Sequence, residues 1–152
     1  MRSREVKRNE ETLWRKDAAG LMERGGVSFG AEVLCHVLAD AMNREGVGGV
    51  SIVDPDNKLI GIVTEFDLIN ALLAGMDLKK TPAEEVMSEP ICITEEMAAE
   101  EIMTLFQSGH LIRLPVVDAE GRLVGVVRRK SILSSYLQSV PGTIQDADGG
   151  DE

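Results

Sequence analysis

Apolar residues recur along this chain with two different spacings. Within Ala31–Arg44 they fall three or four positions apart, which predicts an amphipathic helix, and Gly46 is a typical helix end. Two short apolar runs follow, Val50–Val53 and Leu59–Val63, and they are separated by the polar residues Asp54–Asn57. This arrangement predicts two strands joined by a turn.

The same pattern occurs again in the second half of the chain. Gly125 lies 64 positions after Gly61, and Asp118 lies 64 positions after Asp54. Two copies of the order β-α-β-β-α align without a gap, which indicates a duplication. One copy is too small to close a hydrophobic core. We therefore predict an α/β (α+β) fold in which tandem repeats pack sheet to sheet with pseudo-two-fold symmetry.

Composition adds segment boundaries to this pattern. Charged residues dominate the N-terminus, which predicts a tail or a solvated helix that docks through Leu13 and Trp14. Gly, Asp and Glu dominate the C-terminus, as is typical of disordered chain. The predicted segments are a charged N-terminal extension (1–16), a first repeat (17–75), a polar linker (76–81), a second repeat (82–138) and a disordered acidic tail (139–152).

Thr64 stands where the second apolar run of the first repeat gives way to a helix, and Asp67 follows three positions later. Thr-x-x-Asp is a variant of the capping box, which satisfies free backbone N–H groups at a helix start. A hydroxyl and a carboxylate at a strand-to-helix junction can also hold a sugar diol. The two residues alone favour the cap, whereas the duplication around them favours a ligand site.

The two copies resemble the CBS domain, and the tandem arrangement resembles a Bateman module. The resemblance lies in the Gly61-x-x-Thr64-x-x-Asp67 strand end and in Pro115-Val116-Val117-Asp118, and it extends from Asp17 to about Leu137. It implies two intertwined α/β units, adenosine-nucleotide binding in clefts between the repeats, and dimers of pairs. We expect a stand-alone pair that forms a homodimer.

The resemblance also implies a set of binding residues. Asp67 and Thr64 would hold the ribose hydroxyls, and Ile62 would contact the base. The backbone of Glu89, Pro90 and Ile91 would flank the adenine. Residues just before the Pro115 strand would lie near the phosphates, namely Leu111, Ile112 and Arg113. A guanidinium suits that role because it forks onto phosphate oxygens.

The equivalent positions of the second repeat differ. Arg128 replaces the threonine, Ser131 replaces the aspartate, and Gly49 stands opposite Arg113. We expect the second cleft to be empty, weak or selective for something other than a nucleoside. Arg128-Arg129-Lys130 could reach an anion or an acidic partner, but a solvated helix start is the favoured interpretation.

Charge and cysteine content exclude several classes of function. The 152 residues carry a formal charge of −10, which argues against broad nucleic-acid binding. Cys35 and Cys92 form neither a metal motif nor a disulfide framework, which favours a reducing cytoplasm. The sequence has no apolar run long enough to span a membrane, and no targeting segment is recognised.

Catalytic motifs are not recognised, so we expect no enzyme activity and no required cofactor. His36 and His110 are the only histidines, and neither belongs to a catalytic set. The leading hypothesis is a regulatory module that senses AMP, ADP or ATP and transmits ligand state to an unknown effector protein. The alternatives are a ligand-independent dimerisation scaffold and a binder of another adenosyl compound, such as S-adenosylmethionine.

Overall fold

The computed structural model describes residues 12–109 and 111–139. Residues 1–11, His110 and the predicted acidic tail beyond residue 139 lie outside this part. The elements in chain order are α1 (Thr12–Arg15), α2 (Ala18–Leu21), β1 (Glu23–Arg24), β2 (Ser28–Gly30), α3 (Cys35–Glu45), β3 (Gly49–Val53), β4 (Leu59–Thr64), α4 (Glu65–Leu73), a 3-10 turn (Ala83–Glu85), β5 (Ile93–Thr94), α5 (Ala99–Gly109), β6 (Arg113–Val117), β7 (Leu123–Arg128) and α6 (Arg129–Ser139).

The fold is α+β, and its helices and strands fall into two units. The three-stranded unit holds residues 25–92 and 117–124, with the sheet order β2-β3-β4. The four-stranded unit holds residues 12–24, 93–116 and 125–139, with the sheet order β1-β7-β6-β5. Neither unit is continuous in sequence. Among the described residues, no helix is long and apolar enough to cross a membrane.

The core of the three-stranded unit is aliphatic, as expected from a chain with 3% aromatic residues. β2 runs parallel to β3, and β3 pairs antiparallel with β4. One face of the sheet and the apolar stripe of α3 are buried against each other. The buried members of this cluster are Cys35, Leu38, Met42, Val50, Ile52, Val63, Leu68 and Ala83.

Helix α3 begins at Cys35, so the predicted start at Ala31 is wrong by four residues. Leu34 is extended and pairs with Pro82, and the Cys35 N–H donates to the carbonyl of Thr81 at 2.8 Å. The apolar spacing continues upstream of Cys35 because Ala31, Val33 and Leu34 are half-buried, although they lie in a turn, a bend and an isolated bridge. The predicted end at Gly46 is confirmed, since Gly46 adopts the left-handed conformation with φ of 68°.

The N-terminal residues of the described chain belong to the four-stranded unit. Leu13 is buried, and α1 packs against α5 and α6. The Ala18 N–H donates to the carbonyl of Met97, and β1 pairs antiparallel with β7. Residues 12–24 therefore pack on elements that come from the second repeat.

Two equivalent turns meet within the three-stranded unit. Asn57 and Gly121 each adopt a positive φ, 67° and 85°, at positions 64 residues apart. The Leu59 N–H donates to the Gly121 carbonyl at 3.0 Å, and the Leu123 N–H donates to the Asn57 carbonyl at 2.9 Å. Leu59 and Leu123 are equivalent residues of the two copies, and so are Asn57 and Gly121. Each bond is therefore the counterpart of the other, and the two turns are related by a local two-fold symmetry.

Candidate ligand-binding site

Thr64 and Asp67 form a complete capping box at the start of α4, so the predicted cap is confirmed. The Asp67 N–H donates to Thr64 Oγ1 at 3.3 Å, and the Thr64 N–H donates to Asp67 Oδ2 at 2.8 Å. The Thr64 hydroxyl also donates to Oδ2, at 3.0 Å. The carboxylate is held at a helix N-terminus, where the helix dipole favours negative charge.

Ser88 completes the surroundings of this carboxylate. Its hydroxyl donates to Asp67 Oδ1 at 2.8 Å. Its backbone pairs with Ile62 in β4, with N···O distances of 3.0 and 2.9 Å in the two directions. Sequence reasoning missed Ser88. The available signal was a hydroxyl residue directly before the predicted adenine-flanking segment.

The predicted base-contacting residues lie beside this arrangement. Ile62 is half-buried on β4. Residues Glu89, Pro90 and Ile91 directly follow Ser88 and belong to no helix or strand. Their backbone groups are thus uncommitted to a sheet or helix, and the Ile91 side chain is 53% exposed.

Gly61 allows the segment before Ser88 to pass close to β4. A Cβ atom at Gly61 would lie 2.9 Å from Met87 Cγ, which is too close for a non-bonded contact. The first glycine of the Gly-x-x-Thr-x-x-Asp pattern is therefore explained by the packing of Met87 over the strand. Thr64, Asp67, Ile62 and residues 88–91 all belong to the three-stranded unit.

The remaining predicted residues, Leu111, Ile112 and Arg113, belong to the four-stranded unit. The Ile112 carbonyl accepts a 3.4 Å hydrogen bond from the Arg129 N–H. Arg113 is half-buried at the start of β6, and burial lowers the pKa of its guanidinium. The charge of Arg128 lowers that pKa further, whereas Glu23 raises it.

The start of α6 is the second-repeat counterpart of the start of α4, and its chemistry is different. Ser131 Oγ accepts a 3.1 Å hydrogen bond from the Arg128 N–H, so half of the capping box is kept. The Arg128 guanidinium contacts both carboxylate oxygens of Glu23, at 2.8 and 2.6 Å. The predicted solvated helix start is thus wrong for Arg128, whose side chain is 28% exposed and ion-paired.

No group of three or more His, Cys, Asp or Glu side chains in the described ranges could hold a metal ion. The Asp67 carboxylate presents two oxygens to hydrogen-bond donors, and each of them already accepts at least one bond. Oδ2 accepts two bonds from Thr64, and Oδ1 accepts one from Ser88. A carboxylate has about four acceptor directions, so about one remains, on Oδ1, for a ligand hydroxyl.

Sequence and structure comparisons place this arrangement among known proteins. An uncharacterized protein of Methanopyrus kandleri is 36% identical over 98 residues, which are 63% of this chain and 50% of that protein. The chain spans half the length of that relative. It spans under a fifth of the inosine-5'-monophosphate dehydrogenases of Methanocaldococcus jannaschii and Aquifex aeolicus, to which it is 30% and 34% identical.

Solved structures of other proteins share this fold, among them the two that follow. CBSX2 of Arabidopsis thaliana, solved in complex with AMP, superimposes with a TM-score of 0.73 at 21% identity, covering 81% of this chain and 97% of that one. The CBS domain pair of protein MJ0100, solved with 5'-methylthioadenosine and S-adenosyl-L-methionine, gives a TM-score of 0.67 at 22% identity, covering 78% and 98%.

The family model of the CBS domain matches this sequence twice, over residues 35–74 and 83–138. These matches contain both strand-turn-strand units and both helices, α4 and α6, that follow them. The chain therefore belongs to the CBS domain family, of which it carries two copies.

Proposed function

We propose that this chain is a regulatory module that binds an adenine nucleotide, namely AMP, ADP or ATP, with Asp67 as the ribose ligand. The observation that best supports this proposal is the fixed orientation of the Asp67 carboxylate. Thr64 fixes Oδ2 and Ser88 fixes Oδ1, so the side chain is held in place before any ligand arrives. Preorganisation of this kind lowers the entropic cost of binding.

The position of the carboxylate suits a nucleoside. Ser88 links Asp67 to the segment Glu89–Ile91, so a ribose bound by Asp67 has its base beside backbone groups that lie outside helices and strands. Ile62 supplies an apolar surface next to the same segment. A ribose hydroxyl that donates to the remaining direction of Oδ1 would form a charge-assisted hydrogen bond.

The related structures support an adenosyl ligand. CBSX2 was solved with AMP, and the MJ0100 pair was solved with 5'-methylthioadenosine and S-adenosyl-L-methionine. For this chain we propose a nucleotide because Arg113 stands at the position that the family resemblance assigns to phosphate. Leu111 and Ile112 remain the proposed neighbours of the phosphate.

We propose that ligand binding acts on a partner protein by shifting the population of two conformations.

The assembly proposed is a homodimer, because apolar side chains remain exposed on α4. Phe66 is 77% exposed, Ile69 50% and Leu73 82%, and their spacing puts them on one helix face. Leu133, 64 positions after Ile69, is 64% exposed on α6.

The test is a ligand panel of AMP, ADP, ATP, S-adenosylmethionine and GTP, measured by thermal shift and calorimetry. A ligand at 100 times its Kd should add about 2.7 kcal/mol to stability, or about 5–10 °C in Tm. Asp67→Asn should abolish the shift while keeping the side-chain shape. Ser131→Ala is the matched control, since it removes the equivalent cap of the second repeat.

A second candidate function is a ligand-independent dimerisation scaffold. The completed capping box favours it, because Thr64 and Asp67 already have a structural role in stabilising α4. Folded wild-type protein without a shift from any compound in the panel would overturn the nucleotide proposal and favour this alternative. A shift with S-adenosylmethionine alone would assign a non-phosphorylated adenosyl ligand instead.

A further inference from the structure

A cavity of about 200 Å³ lies between α6 and the residues around α2, within the four-stranded unit. Its polar lining consists mainly of cations, hydroxyls and an amide. These side chains belong to Lys16, Lys130, Ser131, Ser134, Ser135 and Gln138. We infer that this cavity binds a phosphate-class oxyanion, at a site separate from Asp67.

The charge of the lining carries the inference. Glu23 is its only carboxylate, and both of its oxygens are already bound by Arg128. Lys16 and Lys130 therefore give the cavity a net positive character on a chain whose formal charge is −10. Opposite charges at short range attract strongly only where solvent is partly excluded, as in a concave site.

The duplication shows that the part of this lining supplied by α6 differs from the equivalent positions of the first copy. Asp67 and Asn70 of α4 correspond, 64 positions on, to Ser131 and Ser134 of α6. The first turn of α4 contains two acidic residues, whereas that of α6 contains none. A carboxylate-bearing helix start suits a diol, and one bearing hydroxyls and a lysine suits an anion.

The size of the cavity limits the ligand. Pockets that enclose drug-sized molecules measure about 300–1,000 Å³. The cavity here is below that range, so a whole nucleotide is too large for it, while a tetrahedral oxyanion or the terminal phosphate of a larger molecule fits. Hydroxyl donors and two ammonium groups match the acceptor-only oxygens of such a group.

Inorganic phosphate is the probe, with sodium chloride at matched ionic strength as its control. We expect saturable stabilisation of the wild type by phosphate that chloride does not reproduce. The double variant Lys16→Gln/Lys130→Gln should weaken phosphate binding by about tenfold or more, because each of its two substitutions removes a charge-assisted contact. Lys80→Gln is the matched control, since Lys80 lies 64 positions after Lys16 and is exposed outside the cavity.

Ser134→Ala provides a milder variant on an exposed helix position and should weaken phosphate severalfold. Asp67→Asn should leave phosphate binding unchanged, which separates this site from the proposed nucleotide site. The proposal is overturned if phosphate stabilises no more than chloride does. It is equally overturned if the double lysine variant responds to phosphate as the wild type does.

Discussion

The Ser88 hydroxyl and the Asp67 Oδ1 atom lie 2.8 Å apart, although 21 positions of chain separate the two residues. The bond joins a helix cap to the segment that runs over β4. The bond therefore fixes the position of Asp67, which caps α4, relative to Ser88, which directly precedes the proposed base-binding segment Glu89–Ile91. Any ligand held by Asp67 is positioned relative to Glu89–Ile91 through this bond.

Ser88→Ala should lower both stability and ligand affinity. Loss of one hydrogen bond costs about 1 kcal/mol, and less here because Ser88 is exposed and water replaces part of the bond. Adenine-nucleotide affinity should fall severalfold, because the segment loses its anchor to Asp67. Calorimetry with AMP measures the affinity, and Ser108→Ala, an exposed serine on α5, is the control. Unchanged affinity would show that Ser88 does not position the ligand.

Gly61→Ala should destabilise the fold by about 1–3 kcal/mol, because the new methyl group overlaps Met87. Met87→Ala should recover part of this loss, since the three heavy atoms nearest to the new methyl group are Met87 Sδ, Cγ and Cβ, and alanine keeps only Cβ. Urea unfolding of the single and double variants gives the coupling energy.

The equivalent single and double variants of Gly125 and Met22 provide a comparison within the same protein. A Cβ atom there would lie 3.0 Å from Met22 Cγ but also 2.8 Å from the backbone oxygen of Glu23. Met22→Ala should therefore fail to rescue Gly125→Ala. Equal rescue at both glycines would contradict the assigned contacts.

The two cysteines should differ sharply in reactivity. Cys92 is exposed, whereas Cys35 is buried, and burial followed by the charge of Glu85 raises the pKa of the Cys35 thiol. A thiol reagent should modify one cysteine per folded chain and both after unfolding. Cys92→Ala should remove the fast reaction, and Cys35→Ala should keep it. Two fast thiols in the wild type would contradict the burial of Cys35.

The same pKa shift predicts the direction of a pH effect. The Cys35 thiol binds its proton more tightly in the folded chain than in the unfolded one. This difference adds fully to the free energy of unfolding at pH values below the ordinary thiol pKa of about 8.5. The added stability is lost as the pH rises through the raised pKa of the folded chain. Cys35→Ala should show a smaller loss of stability between neutral and alkaline pH. Urea unfolding at several pH values measures it.

Phe66→Glu/Leu73→Glu should dissociate the proposed homodimer. Charged residues cannot be buried in an apolar interface without a partner, and both positions are exposed in the chain described here, so folding should persist. Sedimentation velocity measures the assembly, and Gln107→Glu on the exposed face of α5 is the control. A monomeric wild type, or a variant that stays dimeric, would contradict the assignment of this face.

Local features of this chain were predictable from sequence because their causes are local. Thr64 and Asp67 are three residues apart, so the capping box follows from the pattern alone. Asp54 was predicted to begin a turn, and its Oδ1 accepts from the N–H groups of Asp56 and Lys58. Asp118 does the same for Glu120 and Arg122, as the duplication requires.

The features that sequence reasoning missed depend on long-range pairing. Glu23 and Arg128 are 105 positions apart, and a two-residue strand with both residues exposed has no hydrophobic period to detect. Ser88 was missed for a similar reason, since its partner lies 21 positions earlier. The binding roles of Glu89–Ile91 and of Leu111–Arg113 remain predictions.

The four-stranded unit also constrains how the chain acquires its structure. Residues 12–24 are synthesised before the rest of the four-stranded unit, yet β1 pairs with β7 more than 100 positions later. Contacts of such sequence separation slow folding, because a long loop must close before they form. A nascent chain therefore carries an unpaired β1 until β7 has emerged. Deletion of β7 together with α6 should leave β1 without its strand partner, whereas deletion of α6 alone should remove only part of the packing of α1.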